Sequence, residues 1–396
     1  MSRVTIIGIG PGSDGLLTAD AKEALSACDA VLGAKSVVDS LKIDKPVYYE
    51  YLPEKVKDIL DNHPEIKNAA LVMRGDVGFY SGAKKLRETI PDAVLIPGIA
   101  SPILFAADLG ISWDDAALIS LHGKDENPIL KISRNIKTFI LTGGNSSPKN
   151  IISKLIEYGL GDLKVTVGEN LSCENERYTA GSASQLEGMD FDPLSIVFVE
   201  NPYAEKATAI GIPDDEFIRG DVPMTKAEIR AISLSKLKIK NNSVIWDVGA
   251  GTGSVSVECA LLAEDGCVYA IEKKPEAVDL IRQNRIKFRA DNIIDIVGEA
   301  PEALADLPAP DCVFIGGSSG NLEQIINLVL EKNENATIVV NAITLETQTE
   351  ASSLAKNFDE FEAVSVSVSR SRPAGDYHLM NSLNPVTIFT MRRGRK

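Results

Sequence analysis

The 396-residue chain reads as an α/β protein, because short apolar runs alternate with amphipathic segments of helical length along its whole course. Two glycine turns, GIGPG near the start and DVGAGTG in the second half, each lie between a strand-like run and a helix-like segment. The carboxyl end of a strand is where open α/β sheets bind ligands. At this length two domains are expected, not one core.

In the first half, strands are expected at Val4–Ile9, Ala30–Leu32, Ala69–Met73, Val94–Ile96, Ala117–Ile119, Thr138–Leu141, Lys164–Val167 and Ser195–Val199. Helical stretches such as Ala19–Ala27 and Pro53–Asn62 separate most of them. The second half has runs at Ser243–Val248, Cys267–Ile271, Ile293–Val297, Cys312–Ile315, Thr337–Val340, Ala363–Ser369 and Val386–Met391. Between Asn201 and Asp221 the sequence holds turn formers, prolines and acidic residues without a clear period. Domains are therefore expected at 1–205 and 221–396, with a linker over 206–220.

A net charge of −15 disfavours a broad, unspecific grip on nucleic acid. It leaves an anionic small molecule open, since a site can be locally basic on an acidic protein. The cysteines (Cys28, Cys173, Cys259, Cys267, Cys312) form no C-x-x-C pair, and His63, His122 and His378 form no H-E-x-x-H. Neither a disulfide framework nor a metal site is expected. No apolar run reaches the roughly 18 residues of a membrane span. The N-terminus lacks the pattern of a secretion signal, so the expected location is cytoplasmic.

The sharper signal is Val244-Ile-Trp-Asp-Val-Gly-Ala-Gly-Thr-Gly253, followed by helix-like SVSVECALLA. Glycines at 249, 251 and 253 let the backbone approach a ligand closely. Glu272 ends the next strand, where a carboxylate can accept both hydroxyls of a ribose. The G-x-G-x-G spacing differs from the G-x-G-x-x-G of nicotinamide enzymes, whose amides face a pyrophosphate. S-adenosylmethionine (SAM) carries no phosphate and suits this loop; a nicotinamide, or a glycine turn with no ligand, stays open on the loop alone. Gly298-Glu299-Ala300 follows a further strand, where an adenine edge would lie.

PMTKAEIRA, DVGAGTGSVSVECA, YAIEKKPEAV, GEAPEAL, FIGGSSGNL and AITLETQTEA then follow in order. Over nearly all of 221–396 this resembles the precorrin C15-methyltransferases (decarboxylating), with a Rossmann-like class I SAM-dependent methyltransferase fold. The resemblance implies SAM contacts at Thr225, Gly249, Ala250, Gly251, Thr252, Gly253, Glu272, Glu299 and Ala300. Glu299 stands where aspartate is commoner in the family.

In the first half, GIGPGSDGLLTADAKEAL, LVMRGDVGFYS, PGIAS and ILTG each run from a strand into a turn. Together they resemble the tetrapyrrole methylase family, in which SAM lies in a cleft between two α/β subdomains; the resemblance implies subdomains of about 1–112 and 113–205 here. SLHGK and GENLSCENERYTAG look like its precorrin-6Y C5-methyltransferase branch. The implied cofactor residues are Gly8, Gly10, Pro11, Gly12, Gly75, Asp76, Tyr80, Ser81, Ile99, Ala100, Ser101, Thr142 and Gly143. Val77 replaces a proline common in the family, which leaves the shape of that turn open.

The combined resemblance implies methylation of a tetrapyrrole at C5 by the first domain. The second would methylate C15 and remove the C12 acetate carboxyl. A reduced meso carbon is already nucleophilic, so the enzyme's main task is alignment. A polycarboxylate substrate calls for Arg and Lys, and Arg230, Arg370 and Arg372 are the candidates to bind or orient it. His122 is a further candidate for orientation or proton transfer. Ser318 and Ser319 are read as capping the helix after them. The expected partner is the tetrapyrrole, with no nucleic acid and no membrane, and the expected state a homo-oligomer. An RNA methyltransferase is the main rival, ahead of a nicotinamide oxidoreductase and a SAM-binding protein without turnover.

Overall fold

The computed structural model describes residues 2–121, 128–205 and 209–394. It divides into two compact units. One comprises Met1–Asp125, Asn135–Ile156 and Leu160–Pro202; the other comprises Glu126–Arg134, Glu157–Gly159 and Tyr203–Lys396.

The first unit holds two five-stranded sheets. Arg3–Gly8 (β1), Ala30–Gly33 (β2), Val47–Tyr48 (β3), Asn68–Met73 (β4) and Val94–Ile96 (β5) form a parallel sheet in the order β3-β2-β4-β1-β5. Val4 and Ile6 enter one apolar cluster while Ile7 and Ile9 enter another. This is the two-sided burial that makes parallel strands read as continuous apolar runs. Helices Ala19–Ala27 and Pro53–Asn62 fall where the sequence places them. Thr18 caps the first by accepting the Ala21 amide at 3.2 Å, and Pro53 opens the second.

Ala117–Ser120 (β6), Lys137–Leu141 (β7), Lys164–Glu169 (β8), Arg177–Ser182 (β9) and Ser195–Glu200 (β10) form the second sheet, ordered β6-β7-β10-β8-β9. Only β6 and β7 are parallel; β10 runs antiparallel to both β7 and β8, and β9 antiparallel to β8. An apolar run carries no direction, so this mixed pairing is not visible in the sequence. Neither β3 nor β9 stands out there, because one has two residues and the other is RYTAGS, largely polar and exposed.

In the second unit, Val244–Val248 (β11), Cys267–Glu272 (β12), Ile293–Val297 (β13), Cys312–Ile315 (β14), Thr337–Ala342 (β15), Glu360–Val366 (β16) and Val386–Arg392 join in one sheet. Between them, Ser369–Ala374 (β17) and Tyr377–Ser382 (β18) pair into a separate hairpin, so Val386–Arg392 is β19. The sheet order is β13-β12-β11-β14-β15-β19-β16, parallel except for β19. Strand order reverses at β11 and β14, the position at which doubly wound sheets bind ligands. Ile245 packs into the core on one face, Trp246 and Val248 into the core on the other.

Of the expected linker, the described residues include Ile212 and Phe217, which are buried in the second unit's core. The segment is packed structure despite its polar composition. Helix Ile129–Arg134, although it precedes β7, also belongs to this unit; Asp291 accepts its first amides, from Ile129 at 2.7 Å and Leu130 at 3.1 Å.

Candidate active sites

At the carboxyl edge of the parallel sheet in the first unit, three loops meet backbone to backbone. A Cβ on Gly8 would lie 2.7 Å from the Gly75 oxygen and 2.7 Å from the Gly98 nitrogen; one on Gly98 would lie 2.3 Å from the Gly75 oxygen. Gly10 and Gly75 exchange amide hydrogen bonds at 3.1 and 2.7 Å, both with left-handed φ (66° and 72°). Asp76 ties the turn together: Oδ1 accepts the Gly78 amide at 2.8 Å and Oδ2 the Gly98 amide at 3.0 Å. That carboxylate supplies the rigidity a proline at Val77 would otherwise give.

These loops and the facing end of the second sheet enclose a cleft. From the expected set it is lined by Pro11, Gly75, Asp76, Tyr80, Ala100, Ser101 and Thr142. Gly8 and Gly10 lie behind it as packing positions, and Gly12, Ser81, Ile99 and Gly143 also fall outside its lining. Tyr80 holds a left-handed φ of 48°, and its hydroxyl donates across to the Leu118 carbonyl at 3.3 Å. Sequence reasoning missed the far wall, where Gly168 ends β8 and Ser195 and Ile196 open β10. Arg74 also lines the cleft, its Nη1 donating to the Pro11 carbonyl at 2.6 Å; it stood in the quoted LVMRGD run.

The second cleft sits at the reversal point of the other sheet. It is lined by Gly249, Gly251, Glu272, Glu299 and Ala300 of the expected set. A Cβ on Gly249 would lie 2.9 Å from the Gly317 nitrogen, and one on Gly251 2.9 Å from the Pro223 oxygen. Both adopt left-handed φ, 73° and 56°. Gly253 (φ 76°) instead precedes helix Ser254–Leu262, and a Cβ there would lie 3.2 Å from Ile281 Cγ1. Ala250 and Thr252 are buried, and Thr225 turns its carbonyl to Arg230 Nη1 at 2.7 Å; none of the three lines the cleft.

Glu272 Oε2 accepts the Gly251 amide at 3.0 Å, while Oε1 accepts those of Lys273 and Lys274 at 2.9 and 3.0 Å. The carboxylate is thereby oriented along the cleft wall, with one acceptor site of Oε2 left for a ligand hydroxyl. Lys273 Nζ bridges Glu299 at 2.8 Å and Ser319 Oγ at 2.9 Å, and these contacts hold the Glu299 carboxyl below its usual pKa. Ser318 and Ser319 thus face the cleft and do not cap; the cap position of helix Leu322–Lys332 is Asn321. Below the loop, Asp247 is fully buried against Ser256, and burial pushes its carboxyl up to about 7.

Of the three arginines expected to meet substrate, the structure ties two to protein carboxylates. Arg230 is fully buried, its Nε donating to Glu258 at 2.6 Å and its guanidinium lying over Phe217 at 4.8 Å. It also reaches the carbonyls of Thr225 and Ile212, so it is a structural pin. Arg370 is held by Glu228, at 2.9 Å through Nε, and by Asp214 at 2.9 Å, which fastens the base of the hairpin to helix Ala227–Leu237. Each of its three nitrogens donates to one of these two carboxylates. Arg372 is exposed on β17 with no ion-pair partner among the described residues. His122 lies outside the described residues.

Both clefts fit SAM in their donor sets: glycine cradles that a Cβ would fill, and in the second unit a carboxylate on the cleft wall able to accept hydroxyls. Two such clefts on two separate α/β units define a methyltransferase with two cofactor sites. The family of tetrapyrrole (corrin/porphyrin) methylases matches residues 3–187, and the precorrin methyltransferase domain matches 216–393. A probable cobalt-precorrin-6B C(15)-methyltransferase (decarboxylating) of Pyrobaculum calidifontis is 43% identical over 48% of this chain and 97% of its own. The precorrin-6Y C(5,15)-methyltransferase [decarboxylating] of a Sinorhizobium species is 27% identical over 87% of this chain and 85% of its own. A crystal structure of precorrin-6Y C5,15-methyltransferase from Geobacter metallireducens is 41% identical, covering 47% of this chain and 98% of that one, with a TM-score of 0.45. The chain belongs to the precorrin-6Y C5,15-methyltransferase (decarboxylating) family, with its tetrapyrrole methylase part first and its precorrin methyltransferase part second.

Proposed function

We propose that the chain methylates one precorrin-6-type tetrapyrrole twice, at C5 in the first unit and at C15 in the second, with loss of the C12 acetate carboxyl. The observation that carries this reading is the pair of glycine cradles, unlike in design, each at the carboxyl edge of its own sheet. When bound, SAM supplies an electrophilic methyl on a sulfonium. The loops after β1, β4 and β5 hold it in the first unit; Gly249, Gly251, Glu272 and Ala300 hold it in the second.

The protein's part in the transfer is to align an enamine-like ring carbon with that methyl and keep water out. No strong base is required for the bond-forming step. At C12 the carbon–carbon bond to the carboxyl breaks, its electron pair enters the adjacent conjugated pyrrolenine, and a proton replaces the lost carbon dioxide.

The finer readings of partner and place rest on lesser features. Hairpin β17–β18 stands apart from the main sheet with Tyr377, Leu379 and Met380 exposed. An isolated two-stranded hairpin is marginal in water, which favours a homo-oligomer that covers it. No helix among the described residues is long and apolar enough to cross a membrane, and all five cysteines are free. A cytoplasmic site of action agrees with both.

Incubating the intact chain with precorrin-6Y, or its cobalt form, and methyl-labelled SAM tests the proposal. Mass analysis should find two labelled methyls gained and one carbon dioxide lost. A product with neither change would end it.

A further inference from the structure

Away from the cofactor cleft, the first unit carries exposed aromatic side chains on the same edge of its parallel sheet. Tyr49, Tyr51 and Leu52 are 56%, 52% and 46% exposed and follow directly on β3, which runs parallel to β2. Their loop is built, not slack. The Glu50 carboxylate accepts the amides of Tyr51 and Leu52 at 2.9 and 3.1 Å and pairs with Lys55 at 3.3 Å. Tyr49 donates its hydroxyl to Asp39 Oδ1 at 2.9 Å, and Lys35 Nζ lies 5.8 Å from its ring centroid.

The strip continues to the cleft. Beside Asp39, the Ser40 hydroxyl lies 3.7 Å from the place a Cβ on Gly12 would take, and Arg74 Nη1 lies 3.4 Å from the same place. Arg74 itself lines the cleft. The acids of the strip are occupied, Asp39 by a phenol and Glu50 by amides, whereas Lys35 presents its charge beside an aromatic face. In the sheet order β3 is two strands from β4, about 10 Å at the usual strand spacing. That is too far for these tyrosines to touch a carbon receiving a methyl at the Arg74–Tyr80 loop. A macrocycle with carboxylate arms spans it.

We infer that this strip is the acceptor subsite of the first unit: Tyr49 and Tyr51 support the tetrapyrrole face remote from the reacting carbon, and Lys35 and Arg74 pair with its peripheral carboxylates. The inference rests on the function proposed above. It assigns these residues a positioning role, felt in substrate affinity and not in the chemical step.

The test uses the full-length Tyr49→Ser/Tyr51→Ser double variant and Lys35→Gln, with precorrin-6Y and carbon-13 methyl-labelled SAM, reading C5 and C15 methylation separately by NMR. The expected result is a KM for C5 transfer about tenfold higher in the double variant, equivalent to about 1.4 kcal/mol. The kcat at saturation, SAM affinity and C15 transfer should stay at wild-type values, and Tyr49→Phe/Tyr51→Phe should restore the KM. An unchanged KM overturns the inference. So does a variant whose only change is its sedimentation coefficient, which would make the strip an interface between copies. A wild-type chain that binds SAM yet leaves C5 unmethylated overturns the proposed function itself, and the subsite with it.

Discussion

Glu272 accepts the amide of Gly251 at 3.0 Å. The carboxylate therefore fixes the glycine turn opposite it and, under the proposed function, would also hold the ribose, making cradle and sugar clamp one unit. Replacing Glu272 with Ala should remove both functions. A hydrogen bond to a charged group contributes about 1.5–3 kcal/mol, which predicts a loss of affinity of roughly ten- to a hundredfold at the second site. Equilibrium dialysis with labelled SAM would measure it. Binding at the first site should be untouched.

Gly98 offers the matching test in the first unit. A Cβ there would sit 2.3 Å from the Gly75 oxygen and 2.5 Å from the Gly8 oxygen, backbone atoms that cannot rotate away. Gly98→Ala should force the three loops apart, at a cost of about 1–3 kcal/mol. It should abolish C5 methylation while C15 methylation persists. Wild-type C5 activity in this variant would show that the loops do not form the cofactor cradle.

Arg230 and Arg372 separate structure from substrate contact. Arg230 and Glu258 are both fully buried. Arg230→Met leaves the Glu258 carboxylate without its counter-charge, which typically costs about 3–5 kcal/mol. Urea unfolding followed through Trp246, buried in the same unit, should report that loss. Arg372→Gln, at an exposed position, should leave the unfolding midpoint where it is. Equal midpoints for both variants would contradict this division of roles.

Much of this architecture is legible in the sequence. Glycines at 249 and 251 with Glu272 line the second cleft because a strand, a turn and a helix leave such a loop little freedom of placement. Arg230 is misread for the converse reason. Its buried partner Glu258 lies 28 residues away within a helix that carries no other charge, and nothing local couples the two. The far wall of the first cleft is hidden similarly: Gly168 and Ser195 come together only because β10 runs antiparallel to β8, a relation that neither strand encodes alone.

Asp247 predicts a pH dependence. Burial raises its carboxyl from 3.8 to about 7 in the folded chain. Between those values the folded state keeps a proton that the unfolded state releases, so stability falls as pH rises and levels off above about 7. Each pH unit in that window costs up to about 1.4 kcal/mol. Asp247→Asn, which can still bond Ser256, should flatten the profile. Urea midpoints of both proteins at several pH values from about 4 to 8 would check this. A variant with the wild-type slope would place the titration elsewhere.

Calorimetric titration of the intact chain with S-adenosylhomocysteine tests the central claim most directly. Two sites per chain are predicted, with Glu272→Ala weakening one and Gly98→Ala losing the other. A stoichiometry of one or none in the unaltered protein would contradict an enzyme with a working cleft in each unit.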